Sequence, residues 1–445
     1  MSVLPKTVIV GLGKTGYSCV EYLSKRGESI AVVDHQVSPK LLGLLLTEYP
    51  EVPFRPIDQA GDWLASADRM VVSPGVDMRP LYVSIDHADK KEWIGDIALF
   101  CREVKAPIIA ITGSNGKTTV ATMMGQVIEA AGLRVEVCGN IGEPVLNTLL
   151  RPEPDYYVLE LSSFQLEYVD SLAADVAVIL NVEPDHMDRY ATFEDYLAAK
   201  QRIYHDCRCA IVNNDQPSTW KSVQLLGDIV SFSMATDAET TYGLVQKGQE
   251  QWITGPDEAC VDVSDMPLKG VHHWKNAMVI LAMADALSLP RQAVTSVLKA
   301  FTGLSHRCEL VAVHEGVTWV NDSKATNVAA TVAAIQSLSA VCNQRLVMIM
   351  GGDGKDADFS SLRAVFEEFV AHVILIGKDA DAIASVVPVG CSKQRAKTLS
   401  DAVNMAAMFV NRGDVVALSP ACASFDMFNN YEDRGKAFSR YVSEL

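Results

Sequence analysis

The residues best placed to do chemistry lie in one short stretch, GSNGKTT at 113–119. A glycine-rich turn of this kind presents backbone N–H groups to an anion, and the dipole of a following helix favours negative charge there. Lys117 supplies a cation for terminal phosphates, and the Thr118 hydroxyl can hold Mg²⁺. The spacing is shorter than in the usual phosphate-binding loop, because Gly113 and Gly116 enclose only two residues. We expect phosphate contacts from Gly113, Ser114, Asn115, Gly116, Lys117, Thr118 and Thr119.

The sequence around this turn predicts the elements that position it. PIIAIT at 107–112 is an apolar run typical of a buried strand, and a helical pattern runs from Val120 to Ala131. Helical stretches separate further apolar runs, and this alternation predicts a mostly parallel sheet covered by helices. These strands are predicted at 134–139, 156–162, 176–182 and 208–215.

Polar residues end three of these strands: Asn140, Glu160 and the segment around His186. In an open α/β sheet, ligands bind beyond the carboxyl ends of the strands. We therefore expect Glu160 and His186 to converge near Lys117, where a carboxylate and an imidazole can contribute to a Mg²⁺ shell. The alternative is that each is an ordinary polar residue, one at a strand end and one at a helix start.

A second glycine turn, GLGKTG at 11–16, follows a strand predicted at 7–10, and a strand at 30–34 ends in Asp34. Three glycines with an acidic residue about 20 positions on match the dinucleotide-binding pattern. The ligand stays open between NAD and another nucleotide diphosphate, and Lys14 either touches a phosphate or faces solvent. Ser73-Pro74-Gly75 is either a ligand loop or simple turn chemistry.

The last third repeats the strand-and-polar-end arrangement, in segments that start at 317, 346, 373 and 415. Cations and hydroxyls at these ends suggest recognition of an acidic ligand or of transferred phosphate, although surface lysines are common on loops. Upstream, a helix predicted at 193–204 carries Lys200, which by default is solvated. A helix predicted to start at Ala277 follows Asn276, whose amide is either a cap or a purine contact.

Size and composition limit the class of protein. A chain of 445 residues predicts two to four domains. The net charge of −17 argues against general nucleic-acid binding and against anionic membrane surfaces. The ten cysteines form no regular spacing, which is typical of thiols in a reducing cytosol. The start shows no signal-peptide pattern and no apolar run reaches the roughly 18 residues of a membrane span, so we expect a cytoplasmic protein.

Taken in order, the motifs resemble those of the Mur ligases, which build the peptide of bacterial peptidoglycan. The resemblance covers nearly the whole chain and implies an α/β fold of three domains: a Rossmann-like domain at 1–97, a central P-loop ATPase domain at 98–303 and a Rossmann-like domain at 304–445. The motifs are TGSNGKTT, LELSSFQL, NVEPDHMDRY, the Lys200 helix, His306-Arg307, NDSKATN, GGDGKD and SPACASFD.

The resemblance also implies an activity: ATP-dependent ligation of D-glutamate to UDP-N-acetylmuramoyl-L-alanine through an acyl phosphate. It implies a cytoplasmic enzyme, expected to be a monomer, that uses ATP and Mg²⁺. Lys117, Glu160, His186, Lys200 and His306 would be catalytic, and Thr118, Glu160, His186 and a carbamylated Lys200 would ligate metal. Asn276, Arg307 and Asp322 would bind ATP. The UDP-substrate would contact Thr15, Asp34, Ser73, Gly75 and Asn140, and D-glutamate would contact Lys324, Thr326, Lys355, Ser419 and Phe425.

One departure from the family pattern concerns the helix near 276. The family has His-Asn-x-x-Asn where this chain has His272-His273-Trp-Lys-Asn276, so the role of the first Asn is in question. Competing interpretations are an NAD(P)-linked oxidoreductase, from the first glycine turn, and a nucleotide-binding module without catalysis, from the phosphate loop alone. Within the ligase interpretation, the alternative is a sibling that adds a different amino acid or a dipeptide.

Overall fold

The computed structural model describes residues 4–35, 38–82, 85, 88–187, 189–235, 240–256, 258–339, 342 and 344–445. Contacts divide the chain into two compact units, and each is described by itself below. The first unit comprises Met1–Val182, Glu194–Asp265 and Lys275–Lys299, and the second comprises Glu183–Phe193, Met266–Trp274 and Ala300–Leu445.

The first unit begins with a five-stranded parallel sheet. Its strands are β1 (Thr7–Val10), β2 (Ile30–Asp34), β3 (Phe54–Pro56), β4 (Arg69–Val72) and β5 (Glu92–Ile94), in the order β3-β2-β1-β4-β5. The helices are α1 (Lys14–Lys25), α2 (Pro39–Glu48), α3 (Gly61–Ser66), α4 (Arg79–Tyr82) and α5 (Asp96–Cys101). β1 is buried along its whole length, as its unbroken apolar sequence TVIV predicts for a central parallel strand. The strand order reverses direction at β1, and in open α/β sheets ligands bind beyond the strand ends at such a point, here between β1 and β4.

A six-stranded parallel sheet follows in the same unit. Its strands are β6 (Ile108–Thr112), β7 (Val135–Gly139), β8 (Tyr156–Glu160), β9 (Val176–Ile179), β10 (Cys209–Asn213) and β11 (Asp228–Phe232), in the order β11-β10-β9-β6-β8-β7. The helices along this part of the chain are α6 (Lys117–Ala130), α7 (Val145–Thr148), α8 (Ser163–Leu166), α9 (Phe193–Gln201), α10 (Val271–Ala286) and α11 (Arg291–Ala300), and the first four residues of α10 belong to the second unit. β6 lies between β8 and β9, so the ends of both neighbours flank the loop that follows it. A small antiparallel sheet of β12 (Gly243–Lys247), β13 (Glu250–Gly255) and β14 (Glu258–Asp262) occupies the polar segment before α10.

The second unit contains another six-stranded sheet in its described residues. Its strands are β15 (Glu309–His314), β16 (Val317–Asn321), β17 (Leu346–Gly351), β18 (Val370–Ile376), β19 (Ser392–Arg395) and β20 (Val415–Leu418), in the order β15-β16-β20-β17-β18-β19. All neighbours are parallel except β15 and β16. The helices are α12 (Val328–Ser339), α13 (Leu362–Phe369), α14 (Ala380–Val386), α15 (Leu399–Phe409) and α16 (Tyr431–Ser443).

Burial explains why this last sheet reads as continuous apolar runs. Met348 and Met350 of β17 pack into one buried cluster, whereas Val347 and Ile349 pack into another. Successive side chains of a strand point to opposite faces, so a sheet covered by helices on both sides needs apolar residues at every position. The α/β prediction with parallel sheets is confirmed by this arrangement.

Three helix predictions need correction. α6 begins at Lys117 rather than Val120, and α10 begins at Val271 rather than Ala277. Asn276 therefore lies inside α10 and is not its cap. The helix predicted at 193–204 ends at Gln201, and a 3₁₀ turn follows it.

Asp188 of the NVEPDHMDRY motif lies outside the described residues. Within the described part of the chain, we find no helix with the length and apolar character needed to cross a membrane.

Candidate functional site

The turn between β6 and α6 has the backbone of an anion site. Gly113 and Gly116 have φ of +155° and +86°, and the Gly116 value is one that side-chain-bearing residues rarely adopt. A Cβ on Gly116 would lie 3.1 Å from Oδ1 of Asn276, and one on Gly113 would lie 3.1 Å from Cβ of Leu180. The loop is thus packed closely from two sides. Asn276, expected to bind ATP, lies directly beside it.

The N-terminus of α6 meets this loop. Its N-cap residue, Gly116, makes no side-chain capping bond, and the helix runs for 14 residues, so the positive end of its dipole lies at the loop. Nζ of Lys117 donates to the carbonyl oxygens of Gly113 (2.6 Å) and Ser114 (3.0 Å). The ammonium group is therefore held over the loop, where a terminal phosphate would meet it.

Asn181, which the sequence analysis did not single out, fixes the shape of the loop. Its Oδ1 accepts from the N–H of Asn115 at 2.8 Å, and its Nδ2 donates to the Asn115 carbonyl at 3.0 Å. Its own carbonyl accepts from the N–H of Ser114 at 2.9 Å. Asn181 follows β9, so the strand beside β6 provides this support. The signal that could have found it is its position at the end of a predicted strand.

Glu160, at the end of β8, is the buried carboxylate of this region. Its residue surface is 2% exposed, and its Oε1 accepts from Nδ2 of Asn140 at 3.1 Å. Its Oε2 is buried with no hydrogen-bond partner among the described residues. An unpartnered buried carboxylate oxygen is costly, and a bound cation would satisfy it. The described residues contain no ready-made group of three or more His, Cys, Asp or Glu side chains, so Mg²⁺ there would depend on hydroxyl, phosphate and water oxygens as well.

Lys200, expected by default to be solvated, is instead 2% exposed. Its Nζ donates to the Gly113 carbonyl at 3.1 Å and lies 4.7 Å from the ring centroid of Tyr196. The Tyr196 hydroxyl in turn lies 3.1 Å from Oγ of Ser114. Lys200 and Lys117 therefore share one carbonyl acceptor in the phosphate loop. Tyr196 is a second residue that the sequence analysis missed.

The first glycine turn brings Asp34 and Ser73 together. Oδ2 of Asp34 accepts from the N–H of Leu12 at 2.5 Å, and the Ser73 hydroxyl donates to the Gly11 carbonyl at 2.9 Å. Gly16 approaches so closely that a Cβ there would lie 1.8 Å from the Gly11 carbonyl oxygen. Of the other predicted contacts, Thr15 lies in the first turn of α1 and Gly75 is exposed. These residues therefore lie at the ends of β2 and β4 and at the start of α1, and their contacts with a substrate stay a prediction.

In the second unit, Asp322 and Ser419 form a buried pair. The Ser419 hydroxyl, which is fully buried, donates to Oδ2 of Asp322 at 2.7 Å. Oδ1 of Asp322 accepts from the N–H of Cys308 at 3.2 Å. Burial raises the pKa of Asp322 to about 6, against the lowering effect of the Ser419 hydrogen bond and the Arg307 charge. Asp322, a predicted ATP contact, and Ser419, a predicted D-glutamate contact, are therefore hydrogen-bonded to each other.

His306 and Arg307 lie in the loop before β15. The His306 N–H donates to Oε2 of Glu309 at 2.8 Å, and its Nδ1 lies 2.9 Å from Nδ2 of Asn321. The charge of Arg307 acts on His273. Burial is the largest cause that lowers the pKa of His273 to about 3, followed by the neighbouring His272 and the Arg307 charge. His273, which stands where the family pattern has its first Asn, is thus an uncharged imidazole at neutral pH.

The remaining predicted residues of the second unit are spread over several loops. Nζ of Lys355 lies 3.7 Å from Oδ1 of Asp185, whose Oδ2 accepts from Asn327 at 3.1 Å. Nζ of Lys324 lies 5.0 Å from the ring centroid of Tyr431. The N–H of Thr326 donates to the carbonyl of Lys324. Phe425 is 73% exposed. His186 has φ of +57°, and its N–H donates to the carboxylate of Asp185. The proposed roles of all these residues stay predictions.

Comparison with known proteins covers the whole chain. The model of the MurD-like N-terminal domain of Mur ligases matches residues 5–95, that of the Mur ligase middle domain matches 111–284, and that of the Mur ligase glutamate ligase domain matches 306–422. The UDP-N-acetylmuramoylalanine–D-glutamate ligase of Coxiella burnetii is 44% identical over 439 residues, 99% of each chain. The protein of the same name from Pseudomonas aeruginosa is 44% identical over 441 residues, 98% of each chain.

Solved structures share the fold at low identity. The pseudomurein peptide ligase type C of Methanothermus fervidus is similar with a TM-score of 0.63 and 17% identity, covering 99% of each chain. The UDP-N-acetylmuramate-alanine ligase MurC of Thermotoga maritima has a TM-score of 0.61 and 16% identity, covering 99% of this chain and all of that one. Together with the family models, these similarities confirm the three-domain α/β prediction. The exact domain boundaries stay a prediction.

Proposed function

Because this chain belongs to the Mur ligase family, we propose that it is an ATP-dependent ligase that joins D-glutamate to UDP-N-acetylmuramoyl-L-alanine. Relatives 44% identical over nearly the whole chain carry the name of that activity. The structural observation that supports it best is the pairing of two features. One is a phosphate loop at the positive end of the α6 dipole, and the other is the buried Glu160 carboxylate, whose Oε2 has no described hydrogen-bond partner, at the end of the adjacent strand.

The proposed reaction has two steps. An oxygen of the L-alanyl carboxylate attacks the γ-phosphorus of ATP, the bond to the β–γ bridging oxygen breaks, and ADP leaves. The amine of D-glutamate then attacks the carbonyl carbon of the acyl phosphate, a C–N bond forms, phosphate leaves with the C–O electron pair, and the amine loses a proton. Because two anions meet in the first step, Lys117 and the N-terminus of α6 must supply positive charge.

The metal set of this proposal is Thr118, Glu160, His186 and Lys200. Glu160 fits a cation because its Oε2 is buried and without a described partner. Bound Mg²⁺ would neutralise charge on the phosphate oxygens. The protein's own contribution is to hold the Glu160 carboxylate, through Asn140 and the surrounding burial, at the edge of the sheet where β6 ends.

Carbamylation of Lys200 belongs to the same proposal. Its ammonium group would first lose one proton. The resulting amine would attack CO₂, an N–C bond would form as one C–O π bond opens to an oxyanion, and the nitrogen would release a second proton, so that a cation becomes an anion. The geometry favours this change, because the ammonium groups of Lys117 and Lys200 share the carbonyl oxygen of Gly113. Like charges so close repel, whereas a carbamate beside Lys117 would attract it and could serve as an anionic ligand.

The substrate contacts are proposed from the resemblance to the Mur ligases. ATP would contact Asn276, Arg307 and Asp322, and His306 would assist catalysis. The UDP-substrate would contact Thr15, Asp34, Ser73, Gly75 and Asn140. D-Glutamate would contact Lys324, Thr326, Lys355, Ser419 and Phe425. We further propose a cytoplasmic monomer that binds no nucleic acid and inserts in no membrane.

The test is phosphate release from ATP in the presence of UDP-N-acetylmuramoyl-L-alanine and one amine at a time. The amines are D-glutamate, L-glutamate, L-lysine, meso-diaminopimelate and D-alanyl-D-alanine. We expect turnover with D-glutamate alone. Turnover with another amine would keep the ligase chemistry and change the substrate, and no release with any amine would contradict the proposal. The K117A variant is the negative control, because it removes the phosphate-binding cation.

A further inference from the structure

Asp379 lies at the N-terminus of α14 without capping it. Aspartate is among the residues that most often accept a hydrogen bond from the first turn of a helix, yet its side chain makes no such bond within the described helix. Its Oδ2 accepts instead from the N–H of Gly354, at 2.7 Å. Its own N–H donates to the carbonyl of Gly352, at 2.9 Å. Asp379 therefore holds the loop after β17 by two bonds, with its carboxylate turned away from its own helix.

The loop that Asp379 holds, residues 351–356, has a backbone that needs support. Lys355 and Asp356 have φ of +54° and +57°. Two consecutive residues with side chains in the left-handed region are disfavoured, because their Cβ atoms crowd the backbone. Asp353 provides one restraint by accepting from the N–H of Lys355 at 3.2 Å. Backbone bonds between Asp353 and Ala423, and from the N–H of Ala357 to the Gly354 carbonyl, provide others. The Asp379 carboxylate is the side-chain acceptor on Gly354, the residue directly before Lys355.

We infer that Asp379 is a positioning residue for Lys355, an inference that rests on the proposed function, in which Lys355 binds a carboxylate of D-glutamate. The Lys355 side chain is 20% exposed, and its Nζ lies 3.7 Å from Oδ1 of Asp185. A long side chain is redirected by any change of φ and ψ at its own residue. Asp379 would therefore set where the ammonium group lies while acting only through the backbone of the loop.

Two substitutions and a control test this role. Asp379→Ala removes the acceptor for the Gly354 N–H, whereas Asp379→Asn keeps an amide oxygen that can accept it. We expect Asp379→Ala to raise the KM for D-glutamate about tenfold, the factor that corresponds to one hydrogen bond to a charged group. The KM values for ATP and for the UDP-substrate should stay unchanged, and Asp379→Asn should resemble the wild type. Asp381→Ala is the control, because Asp381 lies on the same helix, is 83% exposed and pairs with Arg395.

The double variant separates positioning from a general structural effect. In a Lys355→Ala background, Asp379→Ala should raise the KM for D-glutamate no further, because the group it positions is gone. Where turnover of Lys355→Ala is too slow, calorimetric binding of D-glutamate gives the same cycle. Equal changes in all three KM values with a lowered melting temperature, additive effects in the double variant, or a wild-type KM in Asp379→Ala would each overturn the positioning role. Absence of D-glutamate turnover in the wild type would instead overturn the proposed function.

Discussion

Acidification should destabilise the protein through His273, and replacing this residue with Asn should remove that effect. Burial, the neighbouring His272 and the Arg307 charge lower the pKa of His273 from 6.5 to about 3. A histidine with a lowered pKa binds fewer protons in the folded state than in the unfolded state. Its contribution to stability is therefore fully present above pH 6.5 and is lost as the pH falls from 6.5 towards 3.

The size of the effect follows from the two pKa values. At pH 5 the folded His273 is still neutral, whereas the unfolded one is protonated about 30 to 1. The free energy of unfolding should therefore be lower at pH 5 than at pH 8 by about 2 kcal/mol from this residue, and at pH 6 by about 0.8 kcal/mol. His272, whose pKa is also lowered by burial, acts in the same direction in both proteins.

The assay is urea denaturation of the wild type and H273N at pH 8, 6 and 5, followed by tryptophan fluorescence. We expect the difference between the two proteins to shift by about 2 kcal/mol between pH 8 and pH 5 in favour of H273N. Titrating the imidazole C–H signals by NMR checks the same reasoning. The signal that is absent in H273N belongs to His273, and its chemical shift should still be that of a neutral imidazole at pH 5. Equal pH dependence in both proteins, or a His273 resonance that titrates near pH 6.5, would refute the argument.

Three further predictions concern the phosphate loop and its surroundings. E160Q should lower kcat at least about 100-fold without lowering the melting temperature of the ligand-free protein, because the buried Oε2 has no described partner to lose. Phosphate release measures kcat and calorimetry measures the melting temperature, and a large loss of stability would contradict this account. N181A should raise the KM for ATP about tenfold, because the Asn115 N–H loses its acceptor; an unchanged KM would show that the loop holds its shape without Asn181. Protein equilibrated with ¹³C-labelled bicarbonate should give a carbamate ¹³C NMR signal that K200A lacks and K221A, with a surface lysine replaced, retains; equal spectra for all three would argue against modification of Lys200.

Several parts of this protein could be predicted because their signals are local. The central strands β1 and β6 are almost entirely apolar, as buried parallel strands typically are. The phosphate loop at 113–119 and the turn at 11–16 could be read because their glycines, cation and hydroxyl are adjacent in sequence. The roles of Lys324 and Phe425 came only from resemblance to a family and stay predictions.

Asn276 shows where a local rule fails. Asparagine is a common helix cap, so the sequence placed the start of α10 after it. In the structure the helix begins at Val271, directly after Gly270 with φ of +109°. The amide of Asn276 is buried beside Gly116 of the phosphate loop instead. Asn276 packs against the phosphate loop, which is distant in sequence, and the residues next to Asn276 in the sequence give no sign of that packing.

The sequence by itself determined the strand-and-helix alternation, the two glycine turns and the chemical types at the strand ends. Only the tertiary structure decided that Asn181 and Tyr196 support the phosphate loop, that Lys200 is buried, and that Asp379 bonds Gly354. The physical reason is that propensity, periodicity and turn chemistry depend on residues near each other in the chain. Contacts at the edge of a parallel sheet depend instead on strand order, which brings together residues that are tens of positions apart.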